Sequence, residues 1–526
     1  MRYKKPKRFF EDAGLVDPSA SYYVQLENVT NTDHQDLKTM VDRGRYFSIF
    51  APRQSGKTTF FKGFCRRLEK DPLYVAILLS FQDYKNVLAK RFYQLIQKSV
   101  YRQLLSRLEG VGCPQLDEIK SCLDSHVLSD HISFRELFDE LNGIVKQKKI
   151  VIFIDEFDGI PRDELENFLT TLRELYQEYK ESKDKALYSV GLVGIRNITK
   201  LIVGGVSPFN IADQVGLPPF SLKNVRDLYS QYTEETNQPL TDEAVETVYT
   251  QTAGQPWLVN RLGTILTVDI KPETTEPITQ EDVAKAIDII LYEDNSHFDN
   301  ITEKAKLYKE TFMDVVFNGV EYIPGDEEQS LLLTHGLIKS EGKDTRVSNP
   351  IYKKRFTKTF FRDARATVDI SNKGYFTADG CLNMETIISD FEEYIMQIGV
   401  NAFYAGQKPY ERTGQFLLTA WLYQFVEEGK GDLRFETPTG LGRMDILLTC
   451  GGRKYIVETK INRSNIEKTV NRAIDQLCDK YLLTERSDEG CIVVFDLKTK
   501  TGEVCTPSRR DVAGKQVLIF SIAIGR

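Results

Sequence analysis

Apolar runs set the frame of the first half of the chain. Tyr46-Phe47-Ser48-Ile49-Phe50 and residues 73–81, 150–154 and 188–195 each predict a strand. The run 150–154 has no polar break, which predicts a strand buried on both faces. Helical segments follow the second run. From 220 to 290 the apolar spacing becomes helical, with starts at Ser221, Thr241 and Thr279-Gln280-Glu281-Asp282. Thr252-Ala253-Gly254-Gln255-Pro256-Trp257 ends one helix and opens another, which carries Asn260 and Arg261. Residues 302–317 and 327–334 predict two more helices. Gly336-Leu337-Ile338, a turn at Glu341-Gly342-Lys343-Asp344, a return strand through Val347 and a helix opening at Asn349-Pro350 follow. Near the C-terminus the pattern predicts a helix at 411–427, strands at 432–437, 444–448 and 454–457, a helix at 464–483 and a strand at 491–495.

These elements divide the chain into a leading segment 1–45, an α/β core 46–219, a helical region 220–295, a winged-helix-like region 296–362, a connector 363–400 without an assignable element, and an α/β region 401–526. The fold class expected is α/β multidomain. At 526 residues the chain is long enough for several cores.

The first strand runs directly into Ala51-Pro52-Arg53-Gln54-Ser55-Gly56-Lys57-Thr58-Thr59. This is the phosphate-binding loop pattern, with Ala51 in place of the first glycine. Backbone N–H groups around Gln54 to Thr58 are expected to wrap a β-phosphate, and Lys57 to reach the β- and γ-phosphates. Thr58 would hold Mg²⁺, and the following helix points its positive end at the same phosphates. Arg53, Gln54, Ser55, Gly56, Lys57, Thr58 and Thr59 are the candidate ATP contacts. Gly56 is read as leaving room for phosphate. Asp155 and Glu156 close the buried strand, where parallel sheets place ligands. Asp155 would share the Mg²⁺ with Thr58, and Glu156 would orient or deprotonate the attacking water.

With a strand between the phosphate loop and the acidic strand, the core resembles the NTPase branch that includes AAA+ and STAND proteins. In that branch a polar residue on the next strand senses the γ-phosphate. Asn197 is the candidate, with Arg196 beside it. Tyr22, Tyr23 and Val24 either flank the base or pack in the core. Arg261 either reaches the γ-phosphate from the helical lid or braces that lid. The would-be reading helix of the winged region begins Asp326-Glu327-Glu328, which phosphate repels, so a protein-contact or coupling role is favoured there.

A second chemical signal lies at Gly442-Arg443-Met444-Asp445 and Glu458-Thr459-Lys460. Strand, hairpin and strand bring Asp445 and Glu458 together, and Glu458 and Lys460 share a face. Two carboxylates beside a lysine suit Mg²⁺ next to a phosphate-polarising cation, with Asp445 and Glu458 as ligands and Lys460 positioning water. Glu411 is a candidate third carboxylate. No histidine follows His335, which excludes histidine-dependent nuclease chemistry from this region.

The helix-strand-strand-strand-helix-strand order around these residues resembles the PD-(D/E)XK nuclease superfamily, with Gly-Arg-Met-Asp where its proline stands. In that superfamily Gln476 and Tyr481 would form a further pair. The whole chain resembles bacterial AAA-ATPase-like proteins with a C-terminal PD-(D/E)XK nuclease domain. The segments that carry this are 52–59, 207–211, 414–418, 442–445 and 455–460. The resemblance implies a P-loop NTPase sheet with helical lid and winged helix, followed by a nuclease-like α/β domain. It implies ATP and Mg²⁺ as cofactors and nucleic acid as partner, with DNA favoured over RNA. Activity against foreign DNA is an analogy with other ATPase-nuclease fusions. The competing reading is a STAND-like switch that assembles on ATP and binds a partner without cleaving. A DNA translocase ranks last.

Charge and composition narrow this little. The formal net charge of −7 gives no global field for nucleic acid, so any such site is local. The basic arm Arg2, Lys4, Lys5, Lys7 and Arg8 is either solvated or a nucleic-acid contact. It lacks the apolar core of a secretory signal, and no apolar stretch reaches the roughly 20 residues of a membrane span. Eight cysteines without Cys-x-x-Cys spacing indicate neither zinc nor a disulfide framework. A cytoplasmic location is expected, and homo-oligomerisation is left open.

Overall fold

The computed structural model describes all residues except 1, 27–28, 146–147, 183–186, 195–210, 319, 361–373, 399–403, 406–407, 410, 429–430, 440–441, 504–505 and 526. The chain divides into two compact units, Met1–Phe312 with Tyr322–Tyr352 and Met313–Glu321 with Lys353–Arg526.

The first unit is built on β1 (Phe47–Phe50), β2 (Tyr74–Ser80), β3 (Lys149–Asp155), β4 (Leu187–Gly194) and β5 (Asp213–Gly216). They form one parallel sheet in the order β2-β3-β4-β1-β5. β4 therefore separates the strand that feeds the phosphate loop from the acidic strand. Ile150, Ile152 and Ile154 pack into one core with Phe92, Ile96 and Val100 of α2 (Ala89–Gly110). Phe134 of α3 (His131–Ile144) and Phe168 of α4 (Leu165–Ser182) complete it. Alternation turns Phe153 to the opposite face. There it meets Phe61 and Phe64 of α1 (Lys57–Leu68) at ring-centroid distances of 5.7 and 5.6 Å. Burial on both faces is what the unbroken apolar run requires. β5 has no counterpart among the expected strands. Its Asp213 accepts a fork from Arg45, at 2.7 Å from Nε and 2.6 Å from Nη2.

The helical region comprises α5 (Leu222–Thr236), α6 (Asp242–Thr252), α7 (Pro256–Thr264) and α8 (Gln280–Tyr292). Ser221, Thr241 and Thr279 are the N-caps of α5, α6 and α8, at the expected starts; Ser221 and Thr241 each accept a backbone N–H the helix leaves orphaned, and the Asp282 carboxylate accepts the Thr279 N–H at 2.9 Å. Gln255 caps α7 by accepting from the Leu258 N–H at 2.6 Å. The turn before it needs Gly254, whose φ is +72°. A Cβ there would stand 1.9 Å from the Phe220 carbonyl oxygen. Gly254→Ala is expected to destabilise the first unit by about 2–5 kcal/mol, combining left-handed strain with overpacking. Calorimetry would read this as a downward shift of that unit's unfolding transition.

The backbone of the basic arm is docked, while Arg2, Lys4, Lys5 and Lys7 stay exposed. Lys4 N–H donates to the Thr236 carbonyl at 2.9 Å, Lys7 N–H to Glu235 at 2.8 Å, and Arg8 Nη1 to Gln231 at 2.9 Å. The helix expected at 302–317 is two helices, α9 (Ser296–Leu307) and α10 (Lys309–Asn318), interrupted at Tyr308 (φ −118°, ψ 43°). α11 (Glu327–Thr334) follows, then a hairpin of β6 (Ile338–Glu341) and β7 (Asp344–Val347), then α12 (Pro350–Phe360). Asp326 at the acidic start of α11 is its N-cap, accepting from the Gln329 N–H at 2.9 Å.

The second unit holds α13 (Met384–Ile398), α14 (Glu411–Glu428), β8 (Asp432–Thr439), β9 (Gly442–Cys450), β10 (Arg453–Asn462), α15 (Ile466–Gln476), β11 (Glu489–Lys500), β12 (Ser508–Val512) and β13 (Lys515–Gly525). The sheet order is β8-β9-β10-β11-β13-β12. β8-β9-β10 is an antiparallel meander, whereas β10-β11 and β11-β13 are parallel. Three expectations need correcting. The connector contains α13, tied in by Trp421 Nε1 donating to the Ile387 carbonyl at 2.7 Å. β10 does not end at Val457 but runs on through Glu458, Thr459 and Lys460, because β11 pairs with it as far as Asn462. The helix expected at 464–483 loosens into a π-helical turn at Leu477–Tyr481.

Candidate functional site

At the C-terminal edge of the first sheet, β1 turns into α1 through the phosphate loop. Gln54 (φ +56°) and Gly56 (φ +82°) both lie in the left-handed region, flanking Ser55. Such alternation makes successive N–H groups converge into an anion-binding concavity. A Cβ on Gly56 would meet no protein atom within 4 Å, so within the protein the glycine is required by its backbone angle rather than by space. Ala51 is not among the positive-φ residues and is buried, which accounts for its tolerance in place of glycine.

The Lys57 ammonium donates to the Ala51 and Pro52 carbonyls, both at 2.6 Å. Burial pushes its pKa down to about 8, against the pull of Asp155, Asp158 and Glu156. Thr58 Oγ1 donates to Asp155 Oδ2 at 2.6 Å. The two residues expected to share Mg²⁺ are therefore in direct contact, and both offer the hard oxygens that ion prefers. Asp155 is only 4 % exposed. Its Oδ1 accepts the Glu156 N–H at 2.9 Å. Glu156 sits at φ +51°, and its carboxyl is held above the usual range by burial and then by Asp155, opposed by Arg53 and Lys57. Arg53 and Gln54 are exposed, and Ser55 Oγ donates to the Pro52 carbonyl at 2.8 Å. Arg196, Asn197 and 207–210 lie outside the described residues.

Arg261 braces the helical region. Its fork reaches Glu293 at 2.7 and 2.9 Å, and Nη1 reaches Asp12 at 3.0 Å. Those bonds commit the donors that a γ-phosphate would need. Tyr22, Tyr23 and Val24 line a cavity shared with Ser55, Gly56 and Thr59 of the loop region.

Lys57 also gives a pH signature. Phosphate binding needs the charged ammonium, and an adjacent polyphosphate raises its pKa. Above pH about 8 the free chain must take up a proton on binding. ATP affinity is therefore expected to fall by up to tenfold per pH unit above that point, and Lys57→Arg should flatten the fall because arginine stays charged. Isothermal titration at pH values from about 6.5 to about 9.5, spanning that point, checks this.

In the second unit the β9-β10 ladder stops at Ile446↔Val457. Continued by one step, the register would next pair Asp445 with Glu458. The Thr459 N–H and hydroxyl both donate to Asp445 Oδ2, at 2.7 and 2.8 Å. Lys460 Nζ bonds Glu458 Oε1 and, at 3.0 Å, the Thr459 carbonyl. Glu458 is 0 % exposed, a carboxylate position that requires a cation. Leu447 and Ile456, on the same face, pack with Ile474 and Tyr481. The Tyr481 hydroxyl accepts from Gln476 Nε2 at 2.7 Å, so the two residues singled out by the resemblance are in contact. Burial raises the Tyr481 pKa, and Glu458 and Asp445 add to that while Lys460 opposes it, so the ring stands within their field. The Glu411 side chain lies outside the described residues. Among the described residues, no three His, Cys, Asp or Glu side chains cluster as a metal site. Two carboxylates fit Mg²⁺ only if water and substrate oxygens complete its shell, which is that ion's usual habit. Thr459 escapes a reading of the sequence, because its role depends on where the ladder opens.

Residues 12–358 match the AAA-like domain family. The chain belongs to that family. Its AAA-like domain is a P-loop ATPase domain, and the parallel five-strand sheet is the one such domains use. Residues 382–499 match a domain of unknown function, DUF8371. No curated protein matches. Among solved structures, the Walker-type ATPase PABY2304 of Pyrococcus abyssi is 12 % identical, covering 63 % of this chain and 98 % of that one at a TM-score of 0.43. The RuvB Holliday junction branch migration motor of Thermotoga maritima is 14 % identical, covering 60 % and 90 % at 0.31. The Aeropyrum pernix ORC1 protein, solved in complex with DNA, is 15 % identical, covering 65 % and 95 % at 0.30. Overlaps this loose carry no functional inference. No helix among the described residues is long and apolar enough to cross a membrane.

Proposed function

We propose that this chain is an ATP-controlled, Mg²⁺-dependent nuclease, with the AAA-like domain as control input and the second unit as the cleaving domain. The observation that carries the reading is the convergence of Asp445, Glu458 and Lys460 on one face of β9 and β10. The surrounding order α14-β8-β9-β10-α15-β11 supports it, since the PD-(D/E)XK superfamily uses that order. Asp445 and Glu458 would hold the ion, which when bound would supply Lewis acidity at a phosphodiester oxygen. Lys460 would position water and offset charge on the phosphate. In the first unit Arg53 to Thr59 would contact ATP, and Thr58 and Asp155 would hold its Mg²⁺. Glu156 would act as base, and Asn197 would sense the γ-phosphate. Nucleic acid is the proposed partner, with DNA ahead of RNA.

One observation favours a second reading, an ATP-driven switch that binds its partner without cutting. Glu458 is already bonded to Lys460, and Asp445 to Thr459. A panel of single- and double-stranded DNA and RNA, incubated with Mg²⁺ and with or without ATP, separates the two readings. Metal-dependent cleavage supports the nuclease. Assembly on ATP with every substrate intact supports the switch.

A further inference from the structure

The cavity beside the phosphate loop is lined by a buried side-chain amide that the triphosphate site does not use. Asn260, on α7, lines it together with Tyr22, Tyr23, Phe220 and Pro256. The side chain is 5 % exposed. Its Nδ2 donates to the Pro256 carbonyl at 2.8 Å, which distinguishes the two ends of the amide. Its Oδ1 is buried and has no hydrogen-bond partner among the described residues. A buried acceptor left open is costly, and such groups are nearly always paired in native proteins. The remaining lining is aromatic and aliphatic, suited to the faces of a flat heterocycle, and the cavity borders Ser55, Gly56 and Thr59 where the phosphates would end.

We propose that Asn260 is the residue that selects the base, with Oδ1 accepting a hydrogen bond from the exocyclic amino group of adenine. This rests on the phosphate loop being a nucleotide site. It makes the preference for ATP a property of one acceptor rather than of pocket shape. A purine without the amino group would stack equally well but leave Oδ1 unpaired, and a site built to bond a group rejects the analogue lacking it.

The test compares ATP with purine riboside triphosphate, which differs only in lacking the 6-amino group. Binding to the full chain is measured by titration calorimetry with Mg²⁺ present. Wild type is expected to favour ATP by roughly ten- to a hundredfold. Asn260→Leu should bring the ratio to about one while keeping affinity for the purine analogue. Asn260→Asp, which retains an acceptor, should preserve a preference for ATP and covers the case in which the leucine variant misfolds. Equal binding of the two nucleotides by wild type overturns the proposal, as does an undiminished preference in Asn260→Leu. Failure of wild type to bind either nucleotide overturns the nucleotide-site reading beneath it, a distinguishable result.

Discussion

Lys57→Ala should weaken ATP binding by roughly 10²- to 10⁴-fold while leaving the chain folded. Its ammonium donates to two carbonyls of its own loop, at 2.6 Å each. Phosphate oxygens are better acceptors because they are charged, and each charge-assisted bond contributes about 1.5–3 kcal/mol. Two such bonds lost correspond to a roughly 10²- to 10⁴-fold rise in Kd. Stability should change little. Burial already disfavours this charge, having pushed its pKa down to about 8, so removing the amine also removes a desolvation cost. The measurement pairs titration with ATP against calorimetric unfolding. Lost affinity with an unmoved unfolding transition assigns Lys57 to the ligand. Parallel loss of both would mean that Lys57 serves mainly to staple the loop. Unchanged affinity would remove the phosphate loop from the account.

How far the chain can be read varies with the range of the interaction involved. β3 is legible because burial on both faces leaves no polar residue between Ile150 and Ile154. The helices of residues 222–292 are legible because their caps are local: Ser221 and Thr241 accept from Asn224 and Ala244 N–H groups, and Asp282 accepts from Thr279, each three positions away. β5 is not. Asp213-Gln214-Val215-Gly216 has one apolar side chain and is a strand because β1 pairs with it and Arg45, 168 positions earlier, holds its first residue. Arg261 is ambiguous for the same reason, since its partners Glu293 and Asp12 are distant in sequence. In the second unit the meander and its carboxylates can be read from alternation. The opening of the ladder that turns the Thr459 N–H onto Asp445 cannot, because it depends on where two strands part. β13 pairs in parallel with β11, a non-local contact that local propensity does not report.

Asp445→Asn should reduce Mg²⁺-dependent cleavage by roughly a thousandfold or more, as expected when a ligand is taken from an ion that supplies several kcal/mol of transition-state stabilisation. The substitution suits the purpose because asparagine keeps a carbonyl oxygen for the Thr459 N–H and hydroxyl, now 2.7 and 2.8 Å from Oδ2. The fold should survive while the charge is lost. Glu458→Gln is the harsher variant. Glu458 is fully buried against the ammonium of Lys460, and breaking a buried pair can cost about 3–5 kcal/mol of stability. Its loss of activity therefore counts only alongside an unchanged unfolding transition. Nucleic-acid binding without metal separates site from scaffold. Both variants should bind as wild type does, or more tightly, because each removes a negative charge facing the phosphate. ATP dependence then distinguishes input from output. If the phosphate loop controls the carboxylates, wild-type cleavage changes with ATP, Lys57→Ala cleaves at the nucleotide-free rate whatever the ATP concentration, and Asp445→Asn still binds ATP normally. Cleavage by Asp445→Asn at the wild-type rate would remove this site from the chemistry altogether.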